Sequence, residues 1–493
     1  MSILKFLWVL CVILVTTEVR AQVEIEKWGV FEKTLKGPES GNPFTDIELT
    51  AWFVNGNDTV EVQGFYDGDG RYMFRFSPDN EGVWKYRTSS NVKKLDRRTG
   101  DFRCIPARTH NHGPVDVRGT FRFSYRDGTP YVCVGTTLYA WVHQGDSLAE
   151  VTLNTLSRGY FNKVRMCIFP KAYWWNQNEP EMYPFEGDPL ENWDYSRFNP
   201  TYFQNIEQRI QQLDSLGIQA DLIVFHPYDR WGFSKMDSLT DDRYIRYIIA
   251  RFSAYKNVWW SMANEFDFLE DKTMEDWDRY IRMFAKQDPH QRLRGIHNGV
   301  AMYDHTNPLL THASIQMKEV ERGKEFRNTY KKPVIFDECL YEGNVPWFWG
   351  QLTPEEMVQK FWEGAVNGVY VGHGETYLTT IRTDVPVQEN DDVLWWSKGG
   401  VLKGKSPDRI LFLRHLLESG AGSKEDSPDD YLIYLGTHQP ALHLLEFTEG
   451  IYDIDVIDTW NMTISKSEKE YSGYSLIRMP QRPYMALRVK RKK

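Results

Sequence analysis

The sequence predicts an α/β protein, a (β/α)₈ TIM barrel flanked by an N-terminal Ig-like β-sandwich and a small C-terminal β-sandwich domain. Three observations carry that prediction. Residues 22–110 read as short strands broken by turn signals, with no helical period. From 111 to 422, apolar strands alternate with amphipathic helical stretches. From 423 to 493 strands return alone. A chain of 493 residues is also too long for one core, so several domains are expected.

The elements follow in order. Residues 1–21 carry Lys5, an apolar run over 6–15 and Val19-Arg20-Ala21, the pattern of a cleaved secretory signal. The run is too short for a membrane span, so a secreted or periplasmic protein with no membrane contact in its mature form is expected. In the first domain, strands are predicted at 47–54, 60–66, 72–76 and 82–87, with a hairpin at Asn55-Gly56. Asp67-Gly68-Asp69-Gly70 reads as a turn, since the helices that flank a calcium loop are missing. Barrel strands are predicted at 131–135, 162–169, 220–225, 257–263, 295–297, 312–316, 333–336 and 368–371. Helices are predicted at 148–158, 205–216, 241–254, 274–287, 354–366 and 407–417. The last domain has strand signals at 431–435, 442–447, 452–457 and 484–489. Cys104, Cys133, Cys167 and Cys339 have no zinc spacing, and buried free thiols are expected.

A net charge of -9 and a pI near 5.8 argue against nucleic acid as a partner. The chemistry is expected where two strands end. The fourth closes on Asn264-Glu265 and the seventh on Asp337-Glu338. A carboxylate at the carboxyl end of a buried strand is costly for stability, yet well placed for catalysis at a barrel mouth. Retaining glycoside hydrolysis needs two such carboxyl groups about 5–5.5 Å apart, one protonated and one ionised. That chemistry calls for no metal and no cofactor.

These motifs resemble those of glycoside hydrolase clan A, the retaining (β/α)₈ glycosidases, and the three-part layout is similar to its apiosidase-like, family-5-like members. The resemblance implies Glu265 as acid/base, Glu338 as nucleophile and Asn264 as a donor to the sugar. It also implies Arg165 beside the nucleophile, with His226 and His297 as sugar-binding or supporting groups. Cys339-Leu340-Tyr341-Glu342-Gly343 departs from the clan's usual pattern after the nucleophile, which leaves Asp337 and Glu342 as rivals to Glu338.

Rings follow five of the strands: Tyr139 and Trp141; Tyr173, Trp174 and Trp175; Trp231; Trp347 and Trp349; Trp395 and Trp396. Their clustering on one face predicts a sugar cleft. Trp141, Trp174, Trp231, Trp395 and Trp396 are the candidate sugar contacts, with Trp395 or Trp396 as the floor under the reacting ring. Long insertions at 171–195 and 378–402 are expected to close one end of the cleft and favour exo-action on plant or algal polysaccharides or oligosaccharides. The competing reading is a non-catalytic carbohydrate-binding or surface matrix-binding protein on the same scaffold.

Overall fold

The computed structural model describes residues 22–189, 192–379 and 395–492. The expected leader, 1–21, and most of the 378–402 insertion lie outside them. Eight parallel strands form the central barrel: β1 (Val134–Thr137), β2 (Lys163–Cys167), β3 (Gln219–Phe225), β4 (Val258–Ala263), β5 (Arg294–Gly295), β6 (Ala313–Gln316), β7 (Val334–Glu338) and β8 (Tyr370–His373). They pair in the order β5-β4-β3-β2-β1-β8-β7-β6, and a parallel bridge from His297 to Ser314 closes the ring. Every residue of β2, β3, β4 and β7 is buried, including the charged Lys163, Arg165, Asp221, Asp337 and Glu338 that stand among their apolar residues.

The outer helices are α1 (Asp146–Leu156), α2 (Pro200–Ser215), α3 (Ser238–Phe252), α4 (Met274–Gln287), α5 (Gly323–Tyr330), α6 (Pro354–Val366) and α7 (Ser406–Glu418). Capping boxes at Thr273 and Asp276 and at Thr353 and Glu356 fix the starts of α4 and α6. Helix α2 begins five residues before its predicted start, because Asn199 caps it, Pro200 takes the first position and Tyr202 and Phe203 are buried in its first turn. No helix joins β5 to β6, and α5 lacked a predicted counterpart. The first strand starts at Val134 rather than 131, since Pro130–Tyr131 belongs to a three-stranded sheet across the barrel's amino end. In that plug Phe123 packs on Trp259, with ring centroids 5.2 Å apart.

The leading residues form a sandwich of a five-stranded and a three-stranded sheet. Its strand Gly82–Ser90 alternates buried and exposed positions, and Phe53 stacks on Phe76 at 4.4 Å in the core. A buried ionic network joins it to the barrel. Glu207 of α2 binds Arg75 and Arg251, and Arg251 reaches Asp67 at 2.7 Å. The Asp67 to Gly70 turn therefore serves as an interdomain anchor. The trailing residues form a four-stranded sheet and a two-stranded pair, seated on α6 through Trp362 stacked on Tyr434. The four cysteines are free and buried. Among the described residues no helix is long and apolar enough to cross a membrane.

Inside the barrel, Lys163 bonds both Asp221 and Asp337 at 2.7 Å, and Ser314 donates to Asp337 at 2.6 Å. Lys163 is fully buried. Lys163→Met would leave two facing carboxylates without their shared cation, an expected loss of about 3–5 kcal/mol. Urea unfolding checks this, and a loss under about 1 kcal/mol would mean that the two carboxylates do not depend on the ammonium.

Candidate active site

The carboxyl ends of the strands open into a cleft of about 790 Å³ whose walls include both Glu265 and Glu338. The chain reaches Glu265 two residues past β4, in a left-handed conformation with φ 53° and ψ 58°. That conformation is costly for a residue with a side chain, and it is over-determined here. The amide of Asn264 bonds Phe225 on β3, and the amide of Phe266 bonds the His297 carbonyl. Asp267 accepts from the amides of Val300 and Ala301 at 2.7 and 2.8 Å and so fixes the loop that forms the next wall.

Three neutral donors converge on Glu265. Asn264 Nδ2 lies 3.0 Å from Oε2, Gln316 Nε2 lies 3.2 Å from Oε1, and the Tyr228 hydroxyl donates to Oε2. Glu338 has a different setting. Arg165 Nη1 lies 3.4 Å from its Oε1, while Arg165 Nη2 lies 3.4 Å from Asn264 Oδ1. One buried guanidinium thus bridges the supports of both carboxylates. Burial pushes Glu338 up to about 7; the Tyr341 hydroxyl, beside it without a full hydrogen bond, acts in the opposite direction. Tyr341 follows Leu340, whose φ is 78°, and it packs over Gly374, where a Cβ would sit 2.0 Å from its ring.

The alternation of a strand cannot by itself bring Asp337 and Glu338 to the same side. A register slip does so. Ile315 pairs with Phe336, but Gln316 pairs with Glu338, so Asp337 is an extra residue. Asp337 turns into the buried ion group below, where Lys163 and Arg165 hold it well below the usual carboxylate range against the opposing effect of its burial. Glu342 lies behind the cleft and accepts from the Lys405 amide at 2.9 Å. Neither rival lines the cleft.

Of the sequence candidates, Glu265, Glu338, Trp174 and Trp396 line the cleft, and Asn264 and Arg165 lie directly beneath. The others are placed elsewhere. Trp141 is fully buried with its Nε1 3.3 Å from Met166 Sδ, and Trp231 donates to Glu179 at 2.9 Å in a neighbouring loop. Trp395 is buried against Thr136 at 2.8 Å, because adjacent residues on the single turn Trp395–Lys398 face about 100° apart. His226 lies behind the wall against the Phe169 carbonyl, and His297 is fully buried, contributing its backbone to the Glu265 turn.

Lys171, Tyr228 and Gln316 line the cleft without having been singled out from sequence, as does Tyr341, named there only within a motif. Gln316 ends β6 and Tyr228 follows His226 by two, but only their convergence marks them. Trp174 and Phe348 are exposed at the rim, and Trp347 stacks on Trp349 with centroids 6.1 Å apart. Glu342, His373 and Glu375 bring potential ligand atoms within 4.8 Å of one another. The Glu375 carboxylate already accepts the amides of Lys403 and Gly404 at 2.6 and 2.7 Å, so the group pins the loop behind the cleft.

Comparison with known proteins agrees with the fold. Residues 119–390 match the family described as apiosidase-like, catalytic domain. Residues 24–91 and 421–490 match two domains of unknown function, DUF5060 and DUF5605. The crystal structure of a candidate glycoside hydrolase from Bacteroides vulgatus is 38% identical, covers 96% of this chain and 100% of its own, and has a TM-score of 0.89. A family 5 glycoside hydrolase from the same species, 15% identical over 77% of this chain and 94% of its own, has a TM-score of 0.59 and shares the fold. No curated protein matches the chain.

Proposed function

Because the chain belongs to the apiosidase-like family of glycoside hydrolases, we propose that it cleaves O-glycosidic bonds with retention of configuration, through Glu338 as nucleophile and Glu265 as acid/base. The observation that carries this reading is the asymmetry of the two carboxylates in one cleft. Glu338 has a guanidinium within hydrogen-bond reach, which favours negative charge on it. The hydrogen bonds to Glu265 come instead from neutral donors, and the Lys171 ammonium lies beyond ion-pair distance.

In the first half-reaction Glu338 attacks the anomeric carbon as Glu265 gives its proton to the departing oxygen. In the second, Glu265 takes a proton from water, and that water displaces Glu338 from the sugar. Trp396 is the aromatic surface of the cleft nearest the role of a floor under the reacting ring. Exo-action on plant or algal oligosaccharides by a secreted or periplasmic enzyme is the fuller form of the proposal. It is supported by the insertion 171–195 on one side of the cleft and by the leader pattern of the sequence.

The experiment is hydrolysis of a panel of aryl glycosides, both anomers, with Glu265→Gln and Glu338→Gln as controls. Activity in the natural chain and its loss in both variants supports catalysis; saccharide binding without turnover would favour the lectin-like alternative. One observation favours exchanged roles, namely the burial that pushes Glu338 up to about 7, which would suit an acid. The pH profile separates the two. As nucleophile, Glu338 must be ionised, so kcat/KM is expected to fall as pH drops through about 7 and to reach tenfold per unit below it. As acid, it would have to be protonated, and activity would instead fall as pH rises through the same value.

A further inference from the structure

The cleft holds one charge that the two-carboxylate chemistry does not use. Lys171 lies four residues past β2, and its side chain is buried in the cleft wall. Its Nζ is 3.2 Å from the Tyr139 ring centroid, 4.2 Å from that of Tyr228 and 4.6 Å from that of Tyr173, with Trp396 at 5.8 Å. Aromatic faces attract an ammonium but do not neutralise it. Among the described residues Lys171 Nζ has neither an ion pair nor a hydrogen bond.

Every other charged group in the wall has a partner. Glu265 takes its three donors, Glu338 faces Arg165, and Lys318 lies 3.6 Å from Glu319 at the rim. No carboxylate among the described residues lies within ion-pair distance of Nζ. Burial brings Lys171 down to about 8, outweighing Cys167 and Glu265, which act on it from further off to favour its charge, so the group is still mostly charged at neutral pH. A cleft charge with no ion pair of its own favours a ligand that brings an anion to it.

We propose that Lys171 is a specificity-determining residue that binds an anionic substituent, the carboxylate of a uronic acid or a sulfate ester, on the sugar seated against Trp396. This rests on the reading of the cleft as a glycosidase site. The cage sets the ammonium beside the Glu265 end of the cleft, since Tyr228 belongs to the cage and also donates to Glu265. A sugar between the two carboxylates therefore presents a substituent to Lys171 while its anomeric carbon faces Glu338.

The test compares kcat/KM for matched 4-nitrophenyl glycosides, both anomers, in neutral, uronic and sulfated forms, for the natural chain, Lys171→Met and Lys171→Arg. An anionic form is expected to exceed its neutral counterpart at least tenfold. Lys171→Met is expected to lower that ratio at least tenfold, and Lys171→Arg to restore part of it. Whether the uronic or the sulfated series shows the preference identifies the anion. A preference for neutral sugars, or a ratio unchanged in Lys171→Met, overturns the proposal. Should no glycoside be hydrolysed, the catalytic reading fails separately. Calorimetric titration of Glu338→Gln and of Glu338→Gln/Lys171→Met with glucuronate, galacturonate and sulfated galactose then decides on Lys171. Binding lost in the double variant supports it; binding by both, or by neither, overturns it.

Discussion

Glu338→Gln is expected to lose at least about 10⁴-fold in kcat on every substrate, whatever the leaving group. The amide keeps the shape of the side chain and its place beside Arg165, but it cannot form the glycosyl ester. The loss is uniform because both half-reactions pass through that ester: without it neither bond cleavage nor the later attack of water has a path. Removing the carboxylate also leaves the buried Arg165 facing an uncharged group, so a stability control is needed. Glu338→Ala with added azide gives a sharper readout. The small anion enters from the nucleophile's side and is expected to yield a glycosyl azide of inverted configuration.

Glu265→Gln is expected to lose about 10²–10⁴-fold, and the loss is expected to depend on the leaving group. An alkoxide or sugar leaving group needs a proton and suffers the full effect. A dinitrophenolate leaves without one, so its first half-reaction is nearly spared. The second half-reaction still lacks a base, so the glycosyl-enzyme accumulates and KM falls along with kcat. Azide needs no base and is expected to restore turnover, here with retained configuration. If the leaving-group dependence appears in Glu338→Gln and the uniform loss in Glu265→Gln, the two roles are exchanged.

The scaffold was legible because continuous apolar strands, turn signals and helix caps are local. Strands four and seven could be read nearly to their ends, since Asn264-Glu265 and Asp337-Glu338 are the first charged interruptions of largely apolar runs; strand seven continues through Asp337 and Glu338. Which of Asp337 and Glu338 enters the cleft was not local. It is set by the slip that pairs Gln316 with Glu338, a property of two strands together. Rings from four of the five ring-bearing loops line one cleft, and the individuals were read unevenly. Trp395 and Trp396 are neighbours in sequence, yet one fills the core under Thr136 and the other faces the cleft. His226 was implied by the resemblance, and Tyr228 two residues later makes the contact with Glu265. Lys171 carried no signal at all, because what marks it is a cage of four rings brought together from separate loops. No helix was predicted between β5 and β6 and none is found there, whereas α5, only eight residues long, had no predicted counterpart.

The most direct measurement is the configuration of the first-formed sugar, followed by proton NMR before mutarotation. Double displacement through Glu338 is expected to release the anomer of the substrate's own configuration. First release of the opposite anomer would mean that water attacks in a single step, and the assignment of Glu338 as a nucleophile would be wrong.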